Sequence, residues 1–388
     1  MSKRGPTAVF VDLSTLPPDG SSGGAALFVL KLLRELSRDE GLRFAALVKP
    51  ESARLVAPLS GPRFSVEILG TDVSEPRRPR RRLRRLPVGL ARLVPDAASL
   101  VRRGADVLFS PLFTALFHEP GLPHVAVAYD FQELHHPEFF DSNELSRRAA
   151  FRADLGRADR VAAISSATRD DAVVKAGLDP AKVSVIPPLA GPPPQPLSES
   201  ALVARLAVNG LAPDSYAVYP ANFWPHKNHE RLLDAVARVI RSCPDFRLVL
   251  SGALDAARER LAARIRAAGL GDVVRILPYL KDDDVAALIQ GARFLSYPSL
   301  FEGFGIPVLE AMSLGTPVAC SELPALREVA GDDAVYFDPA EIASIAGALE
   351  LLWTSDETRR RLSADGLSRA VCWAGIDTAA AYRKVLTF

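Results

Sequence analysis

Cysteine is scarce in this chain. The three thiols, Cys243, Cys320 and Cys372, are far apart and odd in number, so they do not suggest a disulfide framework. They read as reduced and buried, which points to a cytoplasmic protein. Long apolar runs are also missing, since none reaches the roughly 18 residues of a membrane span. The start, Met1-Ser-Lys-Arg-Gly-Pro6, leads straight into a strand-like run, so no signal peptide is expected. Excess charge of one sign is lacking too. A net charge of +1 gives nothing global to attract nucleic acid. What remains is an ordinary globular balance, 48% hydrophobic and 24% charged over 388 residues. That length suggests two or three domains with a large core.

Strand-like runs alternate with helical periodicity along the whole chain. The first run is Thr7-Ala-Val-Phe-Val-Asp12-Leu, and others lie at 44–49, 106–110, 124–130, 160–165 and 183–188. This rhythm predicts parallel sheets covered by helices on both faces. In such sheets ligands sit beyond the carboxyl ends of the strands. The proline-rich stretch Pro187-Pro-Leu-Ala-Gly-Pro192-Pro-Pro-Gln-Pro196 can continue neither a helix nor a sheet interior. It marks a boundary, giving domains at 1–190 and 197–365. The last ~40 residues read as helices.

One stretch organises the rest: Tyr297-Pro-Ser-Leu-Phe-Glu302-Gly-Phe-Gly-Ile-Pro307-Val-Leu-Glu310. A β-like run enters it, Gly303 and Gly305 make it turn-prone, and Pro307 suits the first residue of a helix. Strand, glycine loop and helix start make an anion site, because the first amides of a helix lack partners and the dipole stands behind them. Glu302 and Glu310 can face one cleft from its two ends. Backbone donors for a diphosphate and carboxylates for hydroxyls suit a nucleotide-sugar. A second strand–glycine–helix unit follows Asp12, with Gly23 and Gly24 before a helix at 25–38.

A third unit opens the second half. Tyr216-Ala-Val-Tyr-Pro-Ala221 is a strand, and Asn222-Phe-Trp-Pro-His226-Lys227-Asn228 is the loop before the next helix. Lys227 there is a candidate phosphate ligand, with His226 as a second donor. His135 and His136 read as loop residues. Asp282-Asp283-Asp284 reads as a helix cap complementing the dipole rather than a metal motif. Ser165-Ser166-Ala-Thr168 reads as an N-cap run, with a contact to a ligand in the cleft as the alternative.

The Glu302–Glu310 string resembles the E-x7-E segment of retaining glycosyltransferases of family 4, which have the GT-B fold. The likeness is close from about 216 to 339 and weaker in the first half. It implies an α/β GT-B architecture, two Rossmann-like parallel-sheet domains facing a cleft. It also implies a final helix, within 366–388, returning to the first domain. The implied activity is retaining transfer of a sugar from a UDP- or GDP-linked donor to an acceptor hydroxyl, with no metal or other cofactor. The acceptor would be a glycan, a lipid-linked sugar or a small molecule, in cell-surface polysaccharide or glycolipid assembly. Glu302, Lys227 and Asp130 would carry catalysis. Gly23, Gly24, Asn222, His226, Leu280, Gly303, Phe304, Gly305 and Glu310 would bind the donor. Two departures stand out: Tyr129 replaces the family's histidine before Asp130, and Asn222 replaces an arginine common five residues before the lysine.

The strongest charge bias is Arg77-Arg-Pro-Arg-Arg-Arg-Leu-Arg-Arg85, followed by apolar residues. It fits peripheral contact with the inner face of a membrane or a lipid-linked acceptor. The bland alternative is a solvated loop, and a grip on another polyanion comes after both. On sequence, two other classes stay open: a GT-B sugar phosphorylase, and a non-catalytic membrane- or polyanion-binding scaffold.

Overall fold

The computed structural model describes residues 5–18, 24–69, 100–113, 116–189, 193–253 and 255–388. Gly23 and the Arg77–Arg85 arm lie outside the described residues. Among those described, no helix is long and apolar enough to cross a membrane.

The chain forms two parallel sheets. The first holds β1 (Thr7–Leu13), β2 (Leu42–Val48), β3 (Phe64–Ile68), β4 (Val107–Ser110), β5 (His124–Ala128), β6 (Arg160–Ala163) and β7 (Val183–Val185), in the order β3-β2-β1-β4-β5-β6-β7. The second holds β8 (Ala217–Pro220), β9 (Leu248–Ser251), β10 (Val274–Leu277), β11 (Phe294–Tyr297), β12 (Val318–Ser321) and β13 (Val335–Phe337), in the order β10-β9-β8-β11-β12-β13. Every pairing is parallel; Val9, for instance, lies opposite Phe44 on one side and Val107 on the other. Strands β4, β5, β9, β11 and β12 are buried along their whole length, and β8 up to Tyr219, as expected of strands covered on both faces. Each sheet reverses its winding beside its first strand, between β1 and β4 and between β8 and β11. Crevices open beyond the strand ends there.

Strand β3 was not anticipated. It is an edge strand of mixed polarity, Phe-Ser-Val-Glu-Ile, with only Phe64 buried, so periodicity hides it. Cys243 and Cys320 are buried and unpaired as expected, but Cys372 is exposed on the helix Asp356–Ala374.

The last helix, Thr378–Leu386, packs on the first-domain helix Gly24–Leu36. Tyr382 is fully buried there, with ring centroids 6.1 Å from Phe28 and 5.7 Å from Phe109. Burying an apolar side chain of that size contributes about 1.5–3 kcal/mol, which is offset here because the buried Tyr382 hydroxyl finds no partner among the described residues. Arg160 of β6 donates to the carbonyls of Lys384, Val385 and Thr387 at 3.2, 3.0 and 3.0 Å. A cation thus satisfies the open carbonyls at this helix end.

Candidate active site

A cleft of about 2020 Å³ runs between the sheets' carboxyl ends. Loops after β1, β5, β8, β9, β10 and β11 line it, as the two winding reversals require. It contains every described residue selected from the sequence: Gly24, Asp130, Asn222, His226, Lys227, Leu280, Glu302, Gly303, Phe304, Gly305 and Glu310.

Lys227 ends a short 3-10 turn, Pro225–Lys227. Asn228 follows in the left-handed region at φ 59°, which asparagine tolerates better than most residues. Its side-chain Nδ2 donates to the carbonyls of Pro298 and Pro339 at 3.0 and 2.9 Å. The Leu300 amide donates to the His226 carbonyl at 2.7 Å, and the Tyr219 hydroxyl to that of Lys227 at 2.9 Å. These bonds stitch the β8 and β11 loops together. They bring the Lys227 ammonium to 2.5 Å from Glu302 Oε1 and 3.4 Å from the Tyr297 hydroxyl. The two charged side chains are only 14% and 11% exposed. Burial alone would push the Glu302 carboxyl up, but Lys227, His226 and Ser299 outweigh it and hold it below the usual range. Burial, helped by Lys227, pushes His226 down to about 4. His226 is therefore a neutral donor near pH 7, and the cation of this loop is Lys227.

The helix Ile306–Ser313 begins at Ile306, so Pro307 takes its second position, one later than expected. Gly305 caps it at φ 112°, and a Cβ there would also lie 2.5 Å from Leu326 Cδ2. The Val308 and Leu309 amides turn back to the Gly305 carbonyl at 3.0 and 3.3 Å. The amides of Phe304, Gly305 and Ile306 find no acceptor among the described residues, and all three residues line the cleft. They are the free donors that a helix start offers an anion.

Glu310 lies on this helix. Burial pushes its carboxyl up to about 7, against Lys31 across the cleft and with help from Asp282. A carboxyl raised in the folded state holds its proton after the unfolded chain has released it. Stability should therefore fall as pH rises from the unfolded value through about 7. Glu310→Gln should flatten that slope, with the gain over wild type larger at pH 8 than at pH 5. Denaturant midpoints at the two pH values check this.

On the opposite wall, Asp130 accepts from the Gln132 amide at 3.2 Å and from Arg148 at 2.9 Å. Arg148 also reaches Glu133 and Glu144, both at 3.1 Å, and lies 4.3 Å from the Phe140 ring centre. Three carboxylates around one guanidinium fix Asp130 against the first domain. Sequence reasoning missed Arg148 because its three partners lie 4, 15 and 18 residues away. Lys31 was missed likewise, because only the domain packing turns it toward Glu310.

Tyr129 does not stand in for an imidazole. Its buried hydroxyl donates to the Pro111 carbonyl at 2.7 Å, and burial pushes it well above its usual value. Asn222 is partly committed to the protein, its side-chain oxygen accepting from the Ala253 amide at 2.8 Å. Leu280 packs on the core beside exposed Tyr279. Gly24 has room for a methyl, 3.8 Å from Ile306 Cδ1, so packing against the protein does not require glycine there. Asp282, Asp283 and Asp284 occupy the first turn of the helix Asp282–Gln290, where they complement its dipole. The cap itself is Lys281, with no side-chain bond, which corrects the reading of the triplet as a cap.

The first half of the chain matches the profile of Glycosyltransferase Family 4 over residues 22–189. The second half matches that of Glycosyl transferases group 1 over 208–369. O-antigen chain mannosyltransferase B of Escherichia coli is 35% identical over 161 residues, 41% of this chain and 42% of that protein. The MMP alpha-(1->4)-mannosyltransferase of Mycolicibacterium hassiacum is 35% identical over 171 residues, 42% of this chain and 41% of that one. The matches thus span about two fifths of these relatives. Among solved structures, Anabaena Alr3699/HepE in complex with UDP and glucose superposes over 98% of both chains with a TM-score of 0.73 at 18% identity, a likeness of fold. Two profiles in tandem, one on each parallel sheet, and a shared two-domain architecture give one conclusion: the chain belongs to the family 4 glycosyltransferases of the GT-B fold.

Proposed function

We propose that the protein transfers a hexosyl group, with retained anomeric configuration and without a metal ion, from a UDP- or GDP-linked donor to a hydroxyl of a glycan or lipid-linked acceptor. The observation that carries this reading is the Lys227–Glu302 pair at 2.5 Å beside the free amides of Phe304, Gly305 and Ile306. One ammonium and a row of N–H groups suit a diphosphate. The adjoining carboxylate suits the hydroxyls of the sugar attached to it. The names of the two relatives favour mannosyl transfer in polysaccharide or glycolipid assembly, and HepE holds UDP and glucose.

In this mechanism the bond from the anomeric carbon to the β-phosphate oxygen breaks early. Its electron pair stays on that oxygen, and positive charge develops on the sugar. The acceptor oxygen attacks from the same face, and its proton passes to the departing phosphate. Lys227 and the amides stabilise the negative charge where it grows. Glu302 orients the sugar hydroxyls, and Glu310 holds the ribose. Asp130, fixed by Arg148, faces the reacting carbon from the other wall.

A panel of nucleotide-sugars incubated with the protein, with mass detection of released nucleotide, tests this. One donor should yield UDP or GDP, at the same rate with a chelator present. Turnover that requires free phosphate and yields a sugar phosphate would mean a phosphorylase instead.

A further inference from the structure

Glu302 is flanked on both sides by residues that the first domain grips. On one side, the Phe301 ring lies 4.8 Å from the His135 ring. His135 is itself held by Asp171 at 2.7 Å and Lys175 at 3.3 Å. On the other side, the Gly303 carbonyl accepts from the Ser165 hydroxyl at 2.6 Å, and the Thr168 hydroxyl lies 3.2 Å from both the Gly303 and the Tyr129 carbonyl oxygens, which share its one hydrogen. The backbones touch here as well, since a Cβ on Gly303 would lie 2.1 Å from the Tyr129 carbonyl oxygen. A second clasp backs the first. The Glu328 carboxylate of the helix Pro324–Ala330 accepts from the Ser166 amide at 2.8 Å and the Ser166 hydroxyl at 3.1 Å. Apart from the two bonds that hold His135 and the Thr168 contact with Tyr129, which lie within the first domain, these contacts cross from one domain to the other, and none lies within the second domain that carries Glu302.

We propose that Ser165 and Thr168 are positioning residues, which set the orientation of Glu302 through the Gly303 carbonyl when the two domains close. The inference rests on the glycosyl-transfer reading for its effect on rate, but not for its structural content. The loop's own domain supplies Lys227, the partner of Glu302. The first domain supplies the two hydroxyls that fix the peptide next to that carboxylate. An active site assembled this way is complete only when closed, so an open molecule would hold the nucleotide with Glu302 loosely placed. A misplacement of about 1 Å is enough to cost roughly 10²-fold in rate.

The variant that separates this from a merely structural role is Ser165→Ala with Thr168→Val. Ser165 also caps its own helix, accepting from the Thr168 amide at 2.9 Å, so two further variants are needed. Ser165→Asp keeps an acceptor for that cap but has no hydrogen to give Gly303. Ser165→Thr keeps the hydroxyl. Two measurements are made. In hydrogen exchange, the peptide 299–306 should open at least fivefold faster in the double variant and in Ser165→Asp, with β8, β9 and β11 unchanged. In steady-state transfer, kcat should fall about tenfold or more in both, with the Kd for UDP or GDP within twofold of wild type. Ser165→Thr should restore at least half of the lost rate. Unchanged exchange in 299–306 would overturn the proposal, as would a Ser165→Asp variant turning over like wild type or a parallel loss of kcat and nucleotide affinity. A wild-type protein that binds no nucleotide would instead refute the glycosyl-transfer reading, and the exchange measurement would still decide the positioning role.

Discussion

Replacing Lys227 with alanine should lower kcat/KM by about 10²–10³-fold, ~2.7–4 kcal/mol, the size expected for one donor aimed at a developing oxyanion. The local geometry makes a second effect follow. Lys227 is the ammonium 2.5 Å from Glu302, on side chains 14% and 11% exposed. Burial is the largest influence on the Glu302 carboxyl and pushes it up; the nearby positive charge of Lys227 does most to reverse this. While the lysine is present, the depressed carboxyl contributes stability above its unfolded pKa, and this is lost as pH falls through the folded value. Without the lysine the sign inverts. Burial then dominates, and the carboxylate becomes a destabilising charge at neutral pH, at a cost of roughly 3 kcal/mol. Lys227→Ala should therefore be less stable than wild type at pH 8, with the gap narrowing at pH 4 as the carboxylate takes up its proton. Adding Glu302→Gln should recover the stability at pH 8 and none of the activity. Denaturant midpoints at both pH values, with kcat/KM for each variant, test the two halves separately.

Gly303→Ala should lower kcat by about 10²-fold or more while leaving nucleotide binding within about threefold. Gly303 does not have a positive φ, so an added methyl strains nothing locally. The obstacle lies across the cleft: a Cβ would stand 2.1 Å from the Tyr129 carbonyl oxygen and 3.2 Å from Ile164 Cδ1. Tyr129 follows β5 and its ring is locked by the bond to Pro111, so that oxygen cannot retreat. The second domain should fold normally and bind its nucleotide, but the two domains should fail to close. Gly252→Ala is the matched control. Its Cβ would lie 2.2 Å from the Ala221 carbonyl oxygen, inside the second domain, so it should damage stability and nucleotide binding together. Small-angle scattering should show a larger radius of gyration for Gly303→Ala than for wild type. A Gly303→Ala protein with wild-type kcat would show that closure at this contact is not needed.

Much of this arrangement was legible in the sequence, and the reason is local. Pro307, Gly305 and the strand before them encode a helix start within a dozen residues, and the error was a single position. Asn228 after Lys227 likewise marks the turn that the structure places at φ 59°. The Tyr129 substitution was visible, but not its consequence, because Pro111 lies 18 residues away and only the packed sheet brings it near. The same holds more strongly for Ser165 and Thr168. Their cap was readable from spacing, whereas their bonds to Gly303 span 138 and 135 residues. Local pattern specifies which atoms are presented at the strand ends. It does not specify which face of the other domain they meet. Cys372 was misplaced for a simpler reason: cysteine is usually buried, and the helix that carries it packs one face only.

Titration calorimetry of UDP and GDP against wild type and Lys227→Ala, each with and without a chelator, tests the central claim most directly. One of the two nucleotides should bind wild type with a Kd in the range of about 1 μM to 1 mM, unaffected by the chelator and at least tenfold weaker in the variant. Binding of neither nucleotide, or equal affinity for wild type and variant, would contradict the account.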